Sequence, residues 1–250
     1  MKIDFHTHVN LSKTIAVTLE ELLEKMDEAK QSGLDAIALT EHFNAVNFHE
    51  IYNMLDAHFP YTGDCYLVNG VRVFPGIEID VAENGHFLVI ADRDHIRLIR
   101  KRLGGHKEEG RFIPVHELTD FLKNLPVLKI AAHPFRVSTP WTHHEQAILN
   151  QFDAFDINGK DLYKYGEMMK QQVEDFAARY HAPAVGGSDT HQFFQYGAVV
   201  NEFPECDTVK ELKAALSSRN FHVTLSPALQ TKVRAAKYIK KMLKLEYSQA

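Results

Sequence analysis

The 250-residue sequence predicts an α/β fold, a barrel of βα units in a single domain. Short runs rich in β-branched residues alternate with stretches of helical periodicity, and this alternation is typical of βα units around a parallel sheet. About six or seven such units follow one another without a long linker, which favours one barrel over two domains. No G-x-G-x-x-G motif follows the first strand, so the fingerprint of a dinucleotide-binding Rossmann fold is missing.

Capping and turn signals set the boundaries in the first half of the chain. Thr18 and Glu21 form a capping box, which predicts the start of a helix that Gly33 ends. Asn84-Gly85 is a hairpin signal, so we expect the strands on either side of it to pair directly. The other elements predicted here are strands over residues 3–6, 34–40, 71–79 and 86–91 and a helix over residues 48–58.

The second half continues the alternation. The predicted strands cover residues 127–132, 154–158 and 184–187, and the predicted helices cover residues 94–103, 115–124, 143–151, 166–180 and 209–218. We expect one domain over residues 1–250, in which residues 205–250 form a C-terminal βα unit and a helix that caps the barrel. That last helix, over residues 229–245, is basic and amphipathic, and such helices can alternatively bind membranes or nucleic acid.

Composition restricts the class of protein. Hydrophobic residues make up 45% and charged residues 24%, which is ordinary for a globular protein and argues against disorder. The net charge of -5 argues against nucleic acid as a partner without excluding it. No apolar run of about 18 residues predicts a membrane span, and the first residues lack the layout of a signal peptide. We therefore expect Cys65 and Cys206 to be buried thiols of a cytoplasmic protein, whose oligomeric state the sequence leaves open.

Histidine stands out, with 15 residues, because it is the commonest metal-binding side chain. Nearly every predicted strand ends in a potential metal ligand or is followed closely by one. The candidate ligands are His6, His8, His42, Glu78, His86, His133, Asp189 and His191. In a βα barrel the carboxyl ends of the strands converge on one face, where active sites are found. These side chains are therefore predicted to meet in one pocket.

The spacing of the candidate ligands has a physical reason. Strand side chains alternate between two faces, so His6 and His8 point to the same side and can reach one ion. Asp189 and His191 repeat this geometry with a carboxylate and an imidazole, and Glu78 can bridge two ions through its two oxygens. The mixture of imidazole and carboxylate without thiolate suits zinc, manganese or iron better than calcium or magnesium.

Together these motifs resemble the PHP family (polymerase and histidinol phosphatase), a family of metal-dependent phosphoesterases. The matching motifs, in the family's order over roughly residues 1–200, are His6-x-His8, Glu41-His42, Gly76-x-Glu78, His86, His133-Pro134 and Asp189-x-His191. The resemblance implies a distorted (β/α)7 TIM-like barrel that holds two or three divalent metal ions, which the donor types suggest are zinc, manganese or iron.

The resemblance also implies how the ligands divide among the ions. His6, His8 and Asp189 are assigned to one ion, Glu78 to a bridging position, His133 to a second ion, and His42 and His191 to a third. His86 matches the family's ligand that follows the Glu78 strand, and its ion is left open.

Two features depart from the family's pattern. The family often supplies a His or Asp to the third ion where this chain has Lys13 and Thr14, so the third ion is expected to be weak, absent or held by Asn10 or a water. Glu41 stands where the family commonly has Asp, which affects the groups that orient the ligands.

The expected reaction is hydrolysis of a small phosphate monoester, either a compound like histidinol phosphate or a nucleotide. Divalent ions lower the pKa of bound water and neutralise phosphoryl charge, so a metal-activated hydroxide would attack directly, without a covalent intermediate. Three cations are candidates for holding the phosphate: Arg136 three residues after His133, Lys160 at another strand end, and Lys13.

Two other functions fit parts of the pattern. A metal-dependent amidohydrolase is also a βα barrel that begins with H-x-H and ends with an Asp, but the short chain, the Gly76-x-Glu78 motif and His191 count against it. A non-catalytic domain that merely holds metal would also keep the ligands, and Lys13 in place of a ligand leaves this alternative open.

Overall fold

The computed structural model describes residues 1–247, and all eleven strands in this part of the chain belong to one sheet. Residues 248–250, the end of the segment predicted as the C-terminal unit, lie outside the described residues. The strands are β1 (Lys2–Thr7), β2 (Ala36–Leu39), β3 (Tyr61–Thr62), β4 (Cys65–Val68), β5 (Val71–Val81), β6 (Gly85–Ile90), β7 (Leu128–Ala131), β8 (Ala154–Asn158), β9 (Ala184–Gly187), β10 (Val199–Glu202) and β11 (His222–Leu225).

Helices connect most of these strands. They are α1 (Leu19–Gln31), α2 (Phe48–His58), α3 (Arg93–Arg102), α4 (Val115–Leu122), α5 (Gln146–Leu149), α6 (Gly159–Tyr165), α7 (Met168–Arg179), α8 (Val209–Ser218) and α9 (Leu229–Tyr247). Helix α1 begins as predicted: Thr18 accepts from the Glu21 backbone N–H at 3.2 Å, and Glu21 accepts from the Thr18 N–H at 2.8 Å.

Seven strands form the barrel in the order β1-β2-β5-β6-β7-β8-β9. The two ends of this order meet where the Asp189 N–H donates to the His6 carbonyl at 2.8 Å and the His8 N–H donates to the Thr190 carbonyl at 2.9 Å. The sheet is thereby nearly closed. The prediction of a single-domain, distorted seven-stranded α/β barrel is confirmed.

The distortion lies in β6, which is antiparallel to both of its neighbours. The predicted hairpin is the cause, since Asn84 has a φ of 61° and reverses the chain between β5 and β6. A strand that follows a hairpin starts at the end of the barrel where the preceding strand finishes. His86, at the beginning of β6, therefore lies at the same end as the last residues of β5.

An asparagine side chain links the seam between β9 and β1. Asn201 of β10 donates through Nδ2 to the carbonyls of Ile3 and Gly186, both at 2.8 Å, and accepts from the Gly186 N–H at 2.7 Å. A Cβ at Gly186 would lie 2.4 Å from Val199 Cγ1, so this position requires glycine. The amide thus supplies hydrogen bonds where strand pairing between β9 and β1 is incomplete.

The interior of the barrel is apolar up to the level of the site. Alternate strand residues such as Ile3, Phe5, Leu88 and Ile130 form one buried cluster, which α8 joins through residues that include Leu212. Lys213 of α8 donates to the Val127 carbonyl at 2.8 Å, just before β7 begins. Helix α8 therefore closes the amino-terminal end of the barrel, and the carboxyl-terminal end is left for the site.

The second half differs in detail from the sequence prediction. The helix predicted over residues 143–151 is a single turn, α5, and the helix predicted over residues 166–180 begins two residues later as α7. An unpredicted helix, α6, follows β8 without a loop, because Asn158 accepts from the Lys160 N–H at 3.0 Å and caps it. Helix α9, predicted to cap the barrel, packs against α6 and the turn at Phe193–Gln195.

Candidate metal centre

Strand ends deliver the predicted ligands to the open end of the barrel. His6 belongs to β1, and His8 follows it on the same face. His133 and Asp189 follow β7 and β9, and both have left-handed backbone, with φ of 34° and 53°. Such backbone is unusual for residues other than glycine and is concentrated at functional sites. The sharp turns that it produces aim both side chains into the pocket.

The side chains assemble into three groups, and the ligand atoms within each group lie within 4.8 Å of one another. The groups are His6, His8 and Asp189; His8, His42 and His191; and Glu78, His86 and His133. Glu78 lies at the centre: its Oε1 is 2.7 Å from His86 Nδ1 and 3.4 Å from His6 Nε2, and its Oε2 is 2.8 Å from His42 Nδ1. All eight predicted residues are thus brought together, and His86 joins the group of Glu78.

The donor atoms fit divalent metal ions. Buried nitrogen and oxygen atoms that make no hydrogen bond of suitable geometry are concentrated here: His6 Nε2, His8 Nδ1 and Nε2, His42 Nδ1, His133 Nε2, His191 Nδ1 and Glu78 Oε2. A buried polar atom without a partner costs free energy, so a compact cluster of them indicates a ligand that satisfies them together. Imidazole nitrogens and carboxylate oxygens are the donors that zinc, manganese and iron accept.

Two buried carboxylates give the centre negative charge. Burial by itself raises the pKa of Glu78, but the imidazoles of His86, His42 and His6 offset this and hold the pKa well below its usual range. Burial likewise opposes ionisation of Asp189, and the nearby Lys160 contributes to a pKa well below the usual range. Both groups therefore stay ionised and favour bound cations.

The imidazoles respond to this charge in two ways. Burial lowers the pKa of His133 and of His191 well below the usual range, so both rings are neutral, as metal ligation requires. Burial also opposes protonation of His86, but Glu78 and Asp80 raise its pKa to about 9. A ring that takes up a proton in this pocket stands in for the positive charge that an ion would bring.

Asp156 holds two of the ligand-bearing segments from behind. Its Oδ2 accepts from His6 Nδ1 at 3.0 Å, from the His133 N–H at 3.2 Å and from Asn158 Nδ2 at 3.0 Å. The bond to Nδ1 fixes the His6 tautomer and leaves Nε2 facing the site. Sequence reasoning missed Asp156, although Asp156 and Asn158 alternate along β8 and therefore share one face.

Glu41 lies behind the second histidine of the H-x-H motif. Its Oε2 accepts from the backbone N–H groups of Val9 and Asn10 at 3.2 and 3.0 Å, and its Oε1 lies 3.5 Å from His8 Nδ1. Glu41 belongs to none of the three groups of candidate ligands. It holds the loop after β1 and positions the His8 ring.

The model of the PHP domain matches residues 4–167 of this sequence, most of its length. The chain belongs to the PHP family. A second model, described as PHP-associated, matches residues 168–221. As a PHP protein the chain is a metal-dependent hydrolase that acts on phosphoester bonds, and the family match favours this class over the amidohydrolase and non-catalytic alternatives. No curated protein matches the sequence.

Several solved structures share the PHP fold at low sequence identity. PsfC from Pseudomonas syringae PB-5123 is 23% identical, with a TM-score of 0.79, over 97% of this chain and 98% of its own. The lesion-specific endonuclease PfuEndoQ from Pyrococcus furiosus is 19% identical, with a TM-score of 0.64, over 89% of this chain and 58% of its own. A proposed metal-dependent phosphoesterase from Bifidobacterium adolescentis is 14% identical, with a TM-score of 0.51, over 76% of this chain and 87% of its own. These similarities concern the fold.

Lys13, which stands where the family often has a ligand for the third ion, and Asn10, the suggested substitute ligand, both have partners within the protein. Lys13 Nζ lies 2.7 Å from Asp80 Oδ2, and Asp80 Oδ1 lies 2.8 Å from His86 Nε2. Asn10 donates to Asn47 at 2.7 Å and accepts through Oδ1 from the Val17 N–H at 3.0 Å, so both ends of its amide are used within the protein.

Asp80 was not singled out from the sequence. The sequence feature that could have identified Asp80 is its position two residues after Glu78, which places both carboxylates on one face of β5. Among the described residues, the group that contains His42 and His191, the two ligands assigned to the third ion, has His8 as its other member.

The other two candidate cations converge on Asp189. Arg136 Nη1 donates to Asp189 Oδ2 at 3.0 Å, and its Nη2 donates to Asn158 Oδ1 at 2.7 Å. Lys160 Nζ lies 2.8 Å from Asp189 Oδ1, and the Lys160 side chain is 34% exposed. Arg136 is thus bound largely by protein groups, whereas Lys160 faces the open side of the centre.

Proposed function

We propose that the protein is a phosphomonoesterase that hydrolyses a small phosphate ester at two or three divalent ions. The observation that carries this proposal is the set of buried donor atoms, grouped around Glu78, that make no hydrogen bond of suitable geometry. Zinc, manganese and iron are the proposed metals, because the donors are imidazoles and carboxylates without thiolate. The proposed ligands are the eight residues of the three groups.

Bound divalent ions supply a hydroxide at neutral pH and neutralise charge on the phosphoryl oxygens. The residues of the chain prepare the site for this chemistry. Asp156 orients His6, and Arg136 holds Asp189 in place by a bond of 3.0 Å. Lys160, on the open side, can contact a phosphate oxygen, and Arg136 offers N–H groups that its protein partners leave free. Lys13, paired with Asp80 at 2.7 Å, is the weakest of the three candidates for a phosphate contact.

A small molecule is the proposed substrate, of the size of histidinol phosphate or a nucleotide. The net charge of -5 does not favour a long polyanion such as duplex DNA. PfuEndoQ is described as a lesion-specific endonuclease, but this chain spans 58% of its length and resembles it in fold. A nucleic-acid substrate therefore remains an alternative that the experiment below addresses.

The site and its surroundings suggest one catalytic unit. Lys232 of α9 donates to the Tyr196 carbonyl at 3.0 Å, and Val233 joins the main hydrophobic core. We therefore propose that residues 205–250 belong to the same domain as the barrel. No helix among residues 1–247 is long and apolar enough to cross a membrane. The free, buried thiols of Cys65 and Cys206 support a cytoplasmic location.

Hydrolysis of an aryl phosphate monoester tests the proposal. Protein stripped with a chelator is reconstituted separately with manganese, zinc and iron, and turnover is compared with that of Glu78→Gln and of the control His58→Asn. Turnover that requires metal, falls by at least about a hundredfold in Glu78→Gln and persists in His58→Asn is the expected result. His58 is exposed, which makes it a suitable control.

Other outcomes point to other functions. Cleavage of a phosphodiester or an abasic oligonucleotide with no cleavage of monoesters would contradict the proposal and favour a nucleic-acid substrate. Activity on cyclic amides or lactones instead of phosphate esters would favour the amidohydrolase alternative. Metal binding without turnover on any ester would favour a non-catalytic domain.

A further inference from the structure

A cavity of about 490 Å³ lies between α6 and α9, and five lysines line it. Lys160 and Lys164 come from α6, and Lys237, Lys240 and Lys241 come from α9. Helical residues spaced three and four apart share one face, so α9 turns three lysines toward the same space. We call this cavity the cationic pocket. Its α9 wall lies beyond the matched family models, which end at residue 221.

The cationic pocket adjoins the metal centre. Lys160 belongs to the lining of the pocket, and its Nζ lies 2.8 Å from Asp189 Oδ1. A molecule bound at the metal centre can therefore extend past Lys160 into the pocket.

The lining of the pocket suits a ligand that is both anionic and partly apolar. Among the described residues, no Asp or Glu lines it. Val233, Ala236 and the ring of Tyr163 supply an apolar floor between the lysines. Gathering like charges in one place costs free energy that a bound anion offsets. The cavity volume of about 490 Å³ lies within the range of small-molecule sites.

We propose that the cationic pocket binds a second phosphate of the substrate, which makes the substrate a compact organic bisphosphate. This inference rests on the proposed phosphomonoesterase function. One phosphate occupies the metal centre, the organic part packs on Tyr163 and Val233, and the far phosphate contacts Lys237 and Lys241. Contacts to the phosphate that does not react supply binding energy that positions the one that does.

Binding of phosphonates, which cannot be hydrolysed, tests the pocket without turnover. Calorimetry on the metal-loaded protein compares hexane-1,6-bisphosphonate with hexylphosphonate, which lacks the second anionic group. We expect the bisphosphonate to bind at least about tenfold more tightly. Lys237→Gln and Lys241→Gln should each reduce this ratio severalfold. The control Arg234→Gln makes the same charge change on an exposed position of α9 outside the pocket and should leave the ratio unchanged.

Kinetics then separate the pocket from the catalytic proposal. Bisphosphates of hexane-1,6-diol and shorter diols should be hydrolysed with a higher kcat/KM than the matching monophosphates, and the best chain length reports the distance between the two sites. Equal affinity for the two phosphonates would overturn the proposal that the cationic pocket binds a second phosphate, even if aryl phosphate is hydrolysed. A preference for the bisphosphonate without any phosphatase activity would keep the pocket as an anion site and overturn the monoesterase function. Tighter binding of a 5′-phosphorylated oligonucleotide than of any phosphonate would overturn the small-molecule substrate.

Discussion

Asp156 acts on the centre through its neighbours. One of its oxygens, Oδ2, accepts from the His6 ring and from the His133 backbone N–H, so a single carboxylate fixes ligands from two of the three groups. The side chain is 1% exposed. Because a carboxylate behind an imidazole makes the ring a stronger donor and fixes its direction, Asp156 is expected to set metal affinity.

Asp156→Asn tests this role at the scale of one residue. The substitution keeps the size of the side chain and removes its charge, so His6 loses its ionic partner. We expect the affinity for the metal to fall about ten- to a hundredfold, measured by competition with a coloured chelator. Asp175→Asn, on the exposed side of α7, is the matched control. Equal affinities of the two variants would contradict the positioning role.

At the scale of elements, the closure of the barrel depends on one amide and one glycine. Asn201 replaces the ladder that β9 and β1 lack, with three hydrogen bonds to Ile3 and Gly186. Both strands carry candidate ligands at their ends, since β1 leads to His8 and β9 leads to Asp189. The seam therefore controls the distance between two sides of the metal centre.

Asn201→Ala should destabilise the protein by about 2–4 kcal/mol, because it removes the side-chain partner of the buried Gly186 N–H and of two carbonyls. Urea unfolding, followed by circular dichroism, measures the change in the free energy of unfolding. Asn220→Ala, at an exposed position, should change it by less than about 0.5 kcal/mol. A loss below about 1 kcal/mol in Asn201→Ala would mean that the strands hold the seam without the amide.

The hairpin between β5 and β6 is a second element that shapes the centre. It returns the chain at the open end of the barrel, so that Glu78 and His86 face each other at 2.7 Å. A parallel strand would have begun at the opposite end and would have carried His86 away from the site. The distortion of the barrel is therefore the reason that His86 reaches Glu78.

At the scale of the whole molecule, the metal centre gathers buried polar and charged groups whose hydrogen-bonding capacity is not met by the protein itself. Helix α8 and the apolar interior close one end of the barrel, and the other end gathers mostly buried imidazoles and carboxylates from six segments of the chain. Such a cluster opposes folding unless cations neutralise it. Stability and metal content are thereby linked.

Removal of metal should therefore lower the melting temperature. A site that is saturated at about 100 times its Kd adds about 2.7 kcal/mol, which corresponds to a shift of about 5–10 °C for a protein of this size. Calorimetry on chelated and reconstituted protein measures the shift. Glu78→Gln should show a smaller metal-dependent shift, because its group loses a charged donor. Identical melting temperatures with and without metal would contradict the link.

The candidate ligands could be predicted from the sequence because each lies in a strand or closely follows one, and local periodicity decides which face it occupies. His6 and His8 share a face by alternation alone, and the carboxyl ends of barrel strands must meet. Helix α1 and the β5–β6 hairpin could also be predicted from short-range signals, the capping box of Thr18 and Glu21 and the Asn84-Gly85 turn. These features involve residues a few positions apart.

The tertiary structure decided what depends on residues distant in the chain. It placed Asp156 behind His6, Arg136 and Lys160 on Asp189, and Lys13 on Asp80, none of which spacing predicts. It also brought α9 to α6 and so created the cationic pocket. The physical reason is that periodicity fixes the direction of a side chain on its own element, whereas its partner is fixed only when the whole barrel closes.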